Sequence, residues 1–503
     1  MKKWMACIVM TAVLLASVGT AELVTALGID TETIQNWVNH EQMVETTTSV
    51  HGEEETSVVS SVAALKAEKD QWVQPDRDDL QYYGLDYFET NLPIVHINTE
   101  GQRVSKENKI WAYLSVAEAA EGKTRSITET PDWSTSVLLN YRGASSYSQF
   151  DKKQYRIKFV KKQGSDKAKN VAFLGMGENS EWVLNGPFLD KTLIRNRLVY
   201  GLGKELFEWA PDCRYCEVFV DGKYQGIYLA VEPVTNGESR LRLCEFGLAN
   251  GQTAYIVKRD RCGSEDKPLD VYGHYAGKTS NDLFIDYPGT KRLTDVQREW
   301  ISADIDAFER VLYSGAFADP EYGYAKYIDV DNFVDYVVLN EVVMNNDAGN
   351  LSTYIYKELG GKLQIAIWDY NNCFDNYQWF PQEYDAFFMK DAAWFSQLLK
   401  DPVFVDKVIA RYRSLREGIL SEAYLNEQID VQQALLGDAI DRNFAIWGYT
   451  FHEHLVRHEN GLHTNPKSYE EAIGQLKKAI HTRLYYLDEH ITDLYASSVT
   501  VTQ

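Results

Sequence analysis

Apolar and polar positions alternate over short stretches in the first half of the chain and recur at helical spacing in the second. Period-two runs at 93–97, 110–116, 136–141 and 154–159 predict strands, and an amphipathic stretch at 191–207 predicts a helix after them. Segments 217–220 and 224–231 then flank Asp221-Gly222, a dipeptide suited to the two-residue turn of a tight hairpin. Beyond about Thr294 the period lengthens, predicting helices over 296–313, 330–344, 403–417, 426–446 and 469–495. One interruption stands among them, where 354–357 and 363–368 alternate around Gly360-Gly361 and predict a second hairpin directly after the 330–344 helix. The expected class is α+β, with a β-rich first half and a helical second half.

The first 21 residues read differently. Lys2 and Lys3 precede an apolar run over 4–18 and the small-residue stretch Gly19-Thr20-Ala21, the pattern of a secretory signal peptide. The run is short beside the ~20 residues of a stable span, so cleavage is favoured over an uncleaved anchor. Residues 22–78 are rich in Glu, Ser, Thr and Val and read as an acidic spacer with one helical stretch near 62–69; dense sequence without internal repeats fills 79–495. The expected location is therefore outside the cell, secreted or tethered to the membrane or cell wall through the N-terminus.

Composition changes this picture in two respects. A net charge of −22 leaves no basic field for a nucleic-acid backbone, so a nucleic-acid partner is excluded. Of six cysteines Cys7 lies in the signal segment, leaving an odd number in an exported chain. Cys213 and Cys216 have the spacing of a redox or metal motif, but no second pair follows; a local disulfide or plain buried thiols are the expectation.

The candidate chemistry lies around the second hairpin. Asn345-Asn346-Asp347 precedes its first strand, with Asn350 following, and Trp368-Asp369 ends its second. A hairpin returns the chain to its start, so Asp347 and Asp369 can face one site, where two carboxylates call for a cation. In protein kinases one Asp receives the acceptor hydroxyl proton and another, after the next strands, binds magnesium. The order of a β-rich half before a helical half is also the outline of a two-lobed kinase. Two Gly-Lys-Thr tripeptides, at Gly122 and Gly277, lack the earlier glycine of a P-loop, since Ala117 and Tyr272 stand there. His454 and His458 do not complete a metalloprotease motif, because Val456 stands where that motif needs its second histidine, counted from His452.

Six stretches in register resemble the spore coat protein H (CotH) kinase family: Arg142-Gly143 with Ser145-Ser146; Lys152-Lys153 through Lys158-Phe159; Trp182 to Asn185 with Asp190, Arg195 and Asn196; Val220 to Tyr228 with Glu232; Asn346-Asp347; and Trp368-Asp369. The resemblance covers roughly 90–490 and implies an atypical protein-kinase-like, two-lobed fold that uses ATP and Mg2+ to phosphorylate Ser or Thr of protein substrates. It implies Asp347 as catalytic residue and Asp369 as magnesium ligand, helped by Asn350 or Asn371. It also implies nucleotide contacts from Arg142, Gly143, Lys158, Arg195 and Glu232, the last positioning nucleotide or pairing with Lys158. Taken alone, Lys158 reads as a solvated strand lysine, while Arg195 reads equally as a residue that orders a carboxylate or phosphate and as a surface arginine beside a helix cap by Asp190. Asn371 departs from the family, which often carries a second acid there, and Asn372-Cys373-Phe374-Asp375-Asn376 replaces the usual glycine-containing ending. That departure leaves a second reading, a surface adhesin or coat-assembly protein that keeps the fold with a degenerate site.

Overall fold

A computed structural model describes residues 72–119, 122–262, 267–376, 382–453 and 465–498. The expected signal segment, nearly all of the expected spacer, and His454 and His458 lie outside the described residues.

Seven strands close into a barrel: β1 (Ile94–Asn98), β2 (Ile110–Ala117), β3 (Trp133–Arg142), β4 (Gln154–Val160), β5 (Glu181–Asn185), β6 (Cys213–Val220) and β7 (Lys223–Val231). Their order is β1-β2-β3-β4-β5-β7-β6, and β6 returns to β1 in parallel while the other neighbours run antiparallel. Alternation decides which side chains go inside. On β4 Tyr155, Ile157 and Phe159 enter the barrel core with Val137, Leu139, Trp182, Leu184, Val218 and Tyr228, while Gln154, Arg156 and Lys158 point outward. The β6–β7 hairpin turns at Asp221 (φ 49°) and Gly222 (φ 84°), the left-handed pair that a two-residue turn between twisted strands requires. Trp72 packs its ring edge against His96, so the chain is already part of the folded body there.

Helix α1 (Arg195–Leu206) joins β5 to β6 and lies outside the barrel, where Leu198, Val199 and Leu202 share one core with Val183, Ile227 and Leu229. A second, four-stranded antiparallel sheet contains β8 (Tyr255–Asp260), β9 (Asp282–Tyr287), β10 (Thr353–Lys357) and β11 (Leu363–Ala366), ordered β9-β8-β10-β11. The β10–β11 pair is the expected hairpin; β8 and β9 carry no period-two pattern and were not expected.

The longer helices that follow are α2 (Asp295–Leu312), α3 (Val330–Val343), α4 (Pro402–Arg416), α5 (Glu422–Leu436), α6 (Ala439–Trp447) and α7 (Tyr469–His490). Thr294 and Gln297 form a capping box at the start of α2, and Asp401 caps α4 ahead of Pro402. Where one helix over 426–446 was expected there are two, because the chain breaks at Gly437. The last helix is shorter than expected and continues as a 3₁₀ segment, Ile491–Ser497. α3 is buried at every position from Phe333 to Val343 and forms the centre of the helical half. Among the described residues no helix is long and apolar enough to cross a membrane.

The option of a local disulfide between Cys213 and Cys216 is corrected by the strand itself. Residues three apart on β6 face opposite ways: Cys216 lies inside the barrel and Cys213 in the core outside it, and both are free thiols. Their burial pushes both thiols up, Cys213 to about 12.

Candidate functional site

The loop that leaves α3 is fixed by its own amides. Met344 ends the helix in a left-handed conformation, and the Asn345 side chain donates to Asn340 Oδ1 at 3.1 Å while its own Oδ1 accepts the Asp347 amide at 3.1 Å. The Asp347 carbonyl accepts the amides of Asn350 (3.0 Å) and Leu351 (2.8 Å), closing a tight turn before β10. After β11 the chain reaches Asp369, itself left-handed at φ 66°. Such a conformation in a non-glycine residue costs free energy and must be held by its surroundings. The holder is α1: the Asp369 amide donates to the Tyr200 hydroxyl at 3.2 Å and the Tyr370 amide to Asn196 Oδ1 at 2.7 Å. Tyr200 and Asn196 lie one helical turn apart on the same face of α1.

The two acids share one electrostatic site. Burial pushes Asp347 up to about 6, with the Asp369 and Asp260 charges adding to the shift, while Arg261 and a hydrogen bond from Asn372 oppose it. Burial also raises Asp369, with Arg142 opposing and Asp260 adding. Arg142, the last residue of β3, places its guanidinium 5.5 Å from the centre of the Trp368 ring and donates to Gln154 Oε1 at 2.8 Å. The end of a barrel strand, the end of the hairpin and the loop after α3 therefore meet. A further barrel contribution comes from Arg156, paired with Glu181 at 2.9 Å, whose charge also acts on Asp286 of β9 and Tyr354 of β10. The outer face of β4 and β5 thus looks across at the second sheet.

The remaining expected residues take varied places. Gly143 follows Arg142 at φ 103°, and a Cβ there would stand 2.1 Å from the Ser146 hydroxyl oxygen. Lys158 is directly opposite Glu181 on the outer barrel face, and its charge acts on Glu181. Arg195 is buried, pairs with Asp190 at 2.6 Å and donates to the carbonyls of Cys373 (2.9 Å) and Phe374 (3.3 Å). It is a tie from α1 to the loop after Asp369 that orders the Asp190 carboxylate, which corrects the alternative of a surface arginine. Glu232 is buried against Arg240 at 2.5 Å and accepts the Asp212 amide at 3.1 Å, which corrects the alternative that it pairs with Lys158. Asn350 turns its Oδ1 to the Ala393 amide (3.1 Å), and Asn371 donates to Asn372 Oδ1 at 2.8 Å. Asn372, rather than Asn371, is the amide that reaches Asp347.

Asp260 and Arg261 escaped the sequence reading. The signal was the charged run Lys258 to Arg261 following the apolar start of β8. Among the described residues no three Asp, Glu, His or Cys side chains gather into a cage for a metal ion. Magnesium is commonly held by one or two carboxylates together with substrate phosphates, and the Asp347–Asp369 pair fits that requirement. Burial makes the ionised form of each acid costly, a cost that a bound cation relieves.

The family described as CotH kinase protein matches residues 139–487 of this chain. The inner spore coat protein H of Bacillus subtilis (strain 168) is 24% identical over 237 residues, a stretch that covers 47% of this chain and 58% of that protein.

Proposed function

The chain belongs to the CotH kinase protein family, and from that premise we propose that it is an ATP- and magnesium-dependent kinase acting on Ser or Thr of exported, surface or coat proteins. The observation that carries this reading is the meeting of Asp347 and Asp369 at one site, with Arg142 approaching from the barrel. The barrel and the helical half would serve as the two lobes, with nucleotide between them. Magnesium, held by Asp369 with the nucleotide phosphates, would neutralise charge on the transferring group. Asp347 orients the acceptor hydroxyl and takes its proton as the oxygen–phosphorus bond forms and the bond to ADP breaks. A base held near 6 is largely ionised at neutral pH and still accepts a proton readily. Arg142, fixed by Gln154 and Trp368, offers its guanidinium to phosphate oxygens.

The spore coat name of the relative supports a coat-associated or extracellular setting, in keeping with the N-terminal signal pattern. Labelled ATP and a Ser-rich acceptor protein test the proposal. Incorporation by the wild type that is lost in Asp369→Ala is the expected result, and equal incorporation by both would sink it.

A further inference from the structure

We propose that Arg259 is a positioning residue for Asp347, which it serves by holding the Gly349 carbonyl; this rests on the reading of Asp347 as the base. Arg259 is on β8, opposite Thr353 of β10, and is 2% exposed. Its Nη1 donates to the Gly349 carbonyl at 3.2 Å. Among the described residues its Nε and Nη2 have no hydrogen-bond partner, and the Glu309 carboxylate is 3.7 Å away. Glu309 is engaged elsewhere, accepting from the Trp394 indole at 2.8 Å and the Gly273 amide at 2.6 Å. The guanidinium rests 4.5 Å from the centre of the Trp394 ring.

Burying a cation with so few hydrogen bonds is costly, and the Glu309 carboxylate at 3.7 Å offsets only part of that cost. Besides its charge beside Glu309 and Trp394, the arginine supplies one directed hydrogen bond, to Gly349. That residue lies inside the turn closed by the Asp347 carbonyl, and its amide is held from the other side by the Tyr336 hydroxyl at 3.2 Å. The turn is thus gripped at both polar groups of one peptide position, by side chains from β8 and α3. The largest influences on the charge of Asp347 are its burial and the charges of Asp369, Arg261 and Asp260. The influence of Arg259 on the acid runs through the backbone.

Arg259→Met tests this by hydrogen exchange and kinetics. The expected result is exchange at the Gly349, Asn350 and Leu351 amides faster by about tenfold or more, with the α3 amides unchanged. The accompanying kcat falls by about 10–100-fold while KM for ATP stays within about threefold, as displacement of a base without loss of a binding contact requires. Arg259→Lys, which keeps a charge beside Glu309 and gives up the planar fork, is read in the same way should the methionine variant not fold. Unchanged exchange at those three amides, or acceleration spread evenly through the sheet, overturns the proposal. So does a kcat within twofold of wild type. A wild-type protein with no transfer activity overturns the reading of Asp347 as base, and the exchange measurement still decides whether Arg259 holds the loop.

Discussion

Tyr200 and Asp369 are joined through the backbone: the Asp369 amide donates to the Tyr200 hydroxyl at 3.2 Å, and the ring stacks beside Trp368 at 6.2 Å between centroids. The strained φ of Asp369 therefore depends on a helix that belongs to the first half of the sequence. Replacing Tyr200 with Phe keeps the packing and removes the acceptor. The expected outcome is a loss of about 1 kcal/mol in unfolding free energy, from one orphaned buried amide. Phosphotransfer should fall by about tenfold with the loosening of Asp369. Denaturant unfolding and a steady-state assay on the same sample check both, and unchanged turnover would reduce Tyr200 to a packing role.

Local chemistry explains what the sequence made legible. The Asp221-Gly222 and Gly360-Gly361 turns were readable because they need only neighbouring residues, and the second of them placed Asp347 and Asp369 at the two ends of one hairpin. β8 was hidden because it lies between β9 and β10 with Tyr255, Ile256 and Val257 all buried, so it shows a continuous apolar run instead of alternation. Asp260 and Arg261 were missed with it. The partners of Arg195 and Glu232 were hidden for another reason: the Cys373 carbonyl and Arg240 are brought to them by tertiary packing that no spacing announces. Barrel closure through the parallel β1–β6 pair is likewise a long-range event.

The raised Asp347 gives a pH test with opposite signs for activity and stability. Its folded value of about 6 exceeds the ordinary ~3.9 of an unfolded aspartate. Between these values the folded protein binds more protons than the unfolded chain, so this acid's contribution to stability falls as pH rises through the window. Turnover, which needs the ionised base, rises with pH, with a midpoint below that of the metal-free protein because a cation on Asp369 removes the repulsion acting on Asp347. Asp347→Asn should lower turnover by about 10²–10⁴-fold, yet leave the protein at least as thermostable as wild type at pH 7. A pH-rate profile with no fall on the acid side, together with a lower Tm for the variant, would contradict the assignment.

His96 predicts the converse dependence. Its ring is 2% exposed, stacked on Phe219 at 5.2 Å and met edge-on by Trp72, and among the described residues neither ring nitrogen has a hydrogen-bond partner. Burial holds it down to about 4. The unfolded chain then binds the extra proton between about 6.5 and 4, so stability is full above that window and is lost as pH falls through it. The loss amounts to about 3 kcal/mol. His96→Phe should remove this part of the acid sensitivity, measured as a smaller difference in unfolding free energy between pH 7 and pH 4.5.

The barrel is fastened to α6 by a buried polar contact, and one glycine tests its geometry. Lys152, 1% exposed, donates its Nζ to the Ile227 carbonyl at 2.7 Å and to Asn443 Oδ1 at 2.8 Å, while the Ile227 amide donates to the same Oδ1 at 3.1 Å. Asn443 can reach this strand only because Gly226 (φ 82°) lacks a side chain: a Cβ there would stand 2.5 Å from Oδ1 and 3.1 Å from the Trp447 indole nitrogen. Gly226→Ala therefore suffers two effects, backbone strain of about 1–2 kcal/mol and expulsion of the Asn443 amide. Expulsion leaves a buried ammonium and a buried amide short of their acceptor, a further ~2 kcal/mol. In an Asn443→Ala background the second effect is already present, so the same glycine change should cost little more than the strain. A double-mutant cycle by chemical denaturation should accordingly show a coupling of about 2 kcal/mol between positions 226 and 443. Additive losses would mean that the added methyl group leaves the Asn443 amide in place.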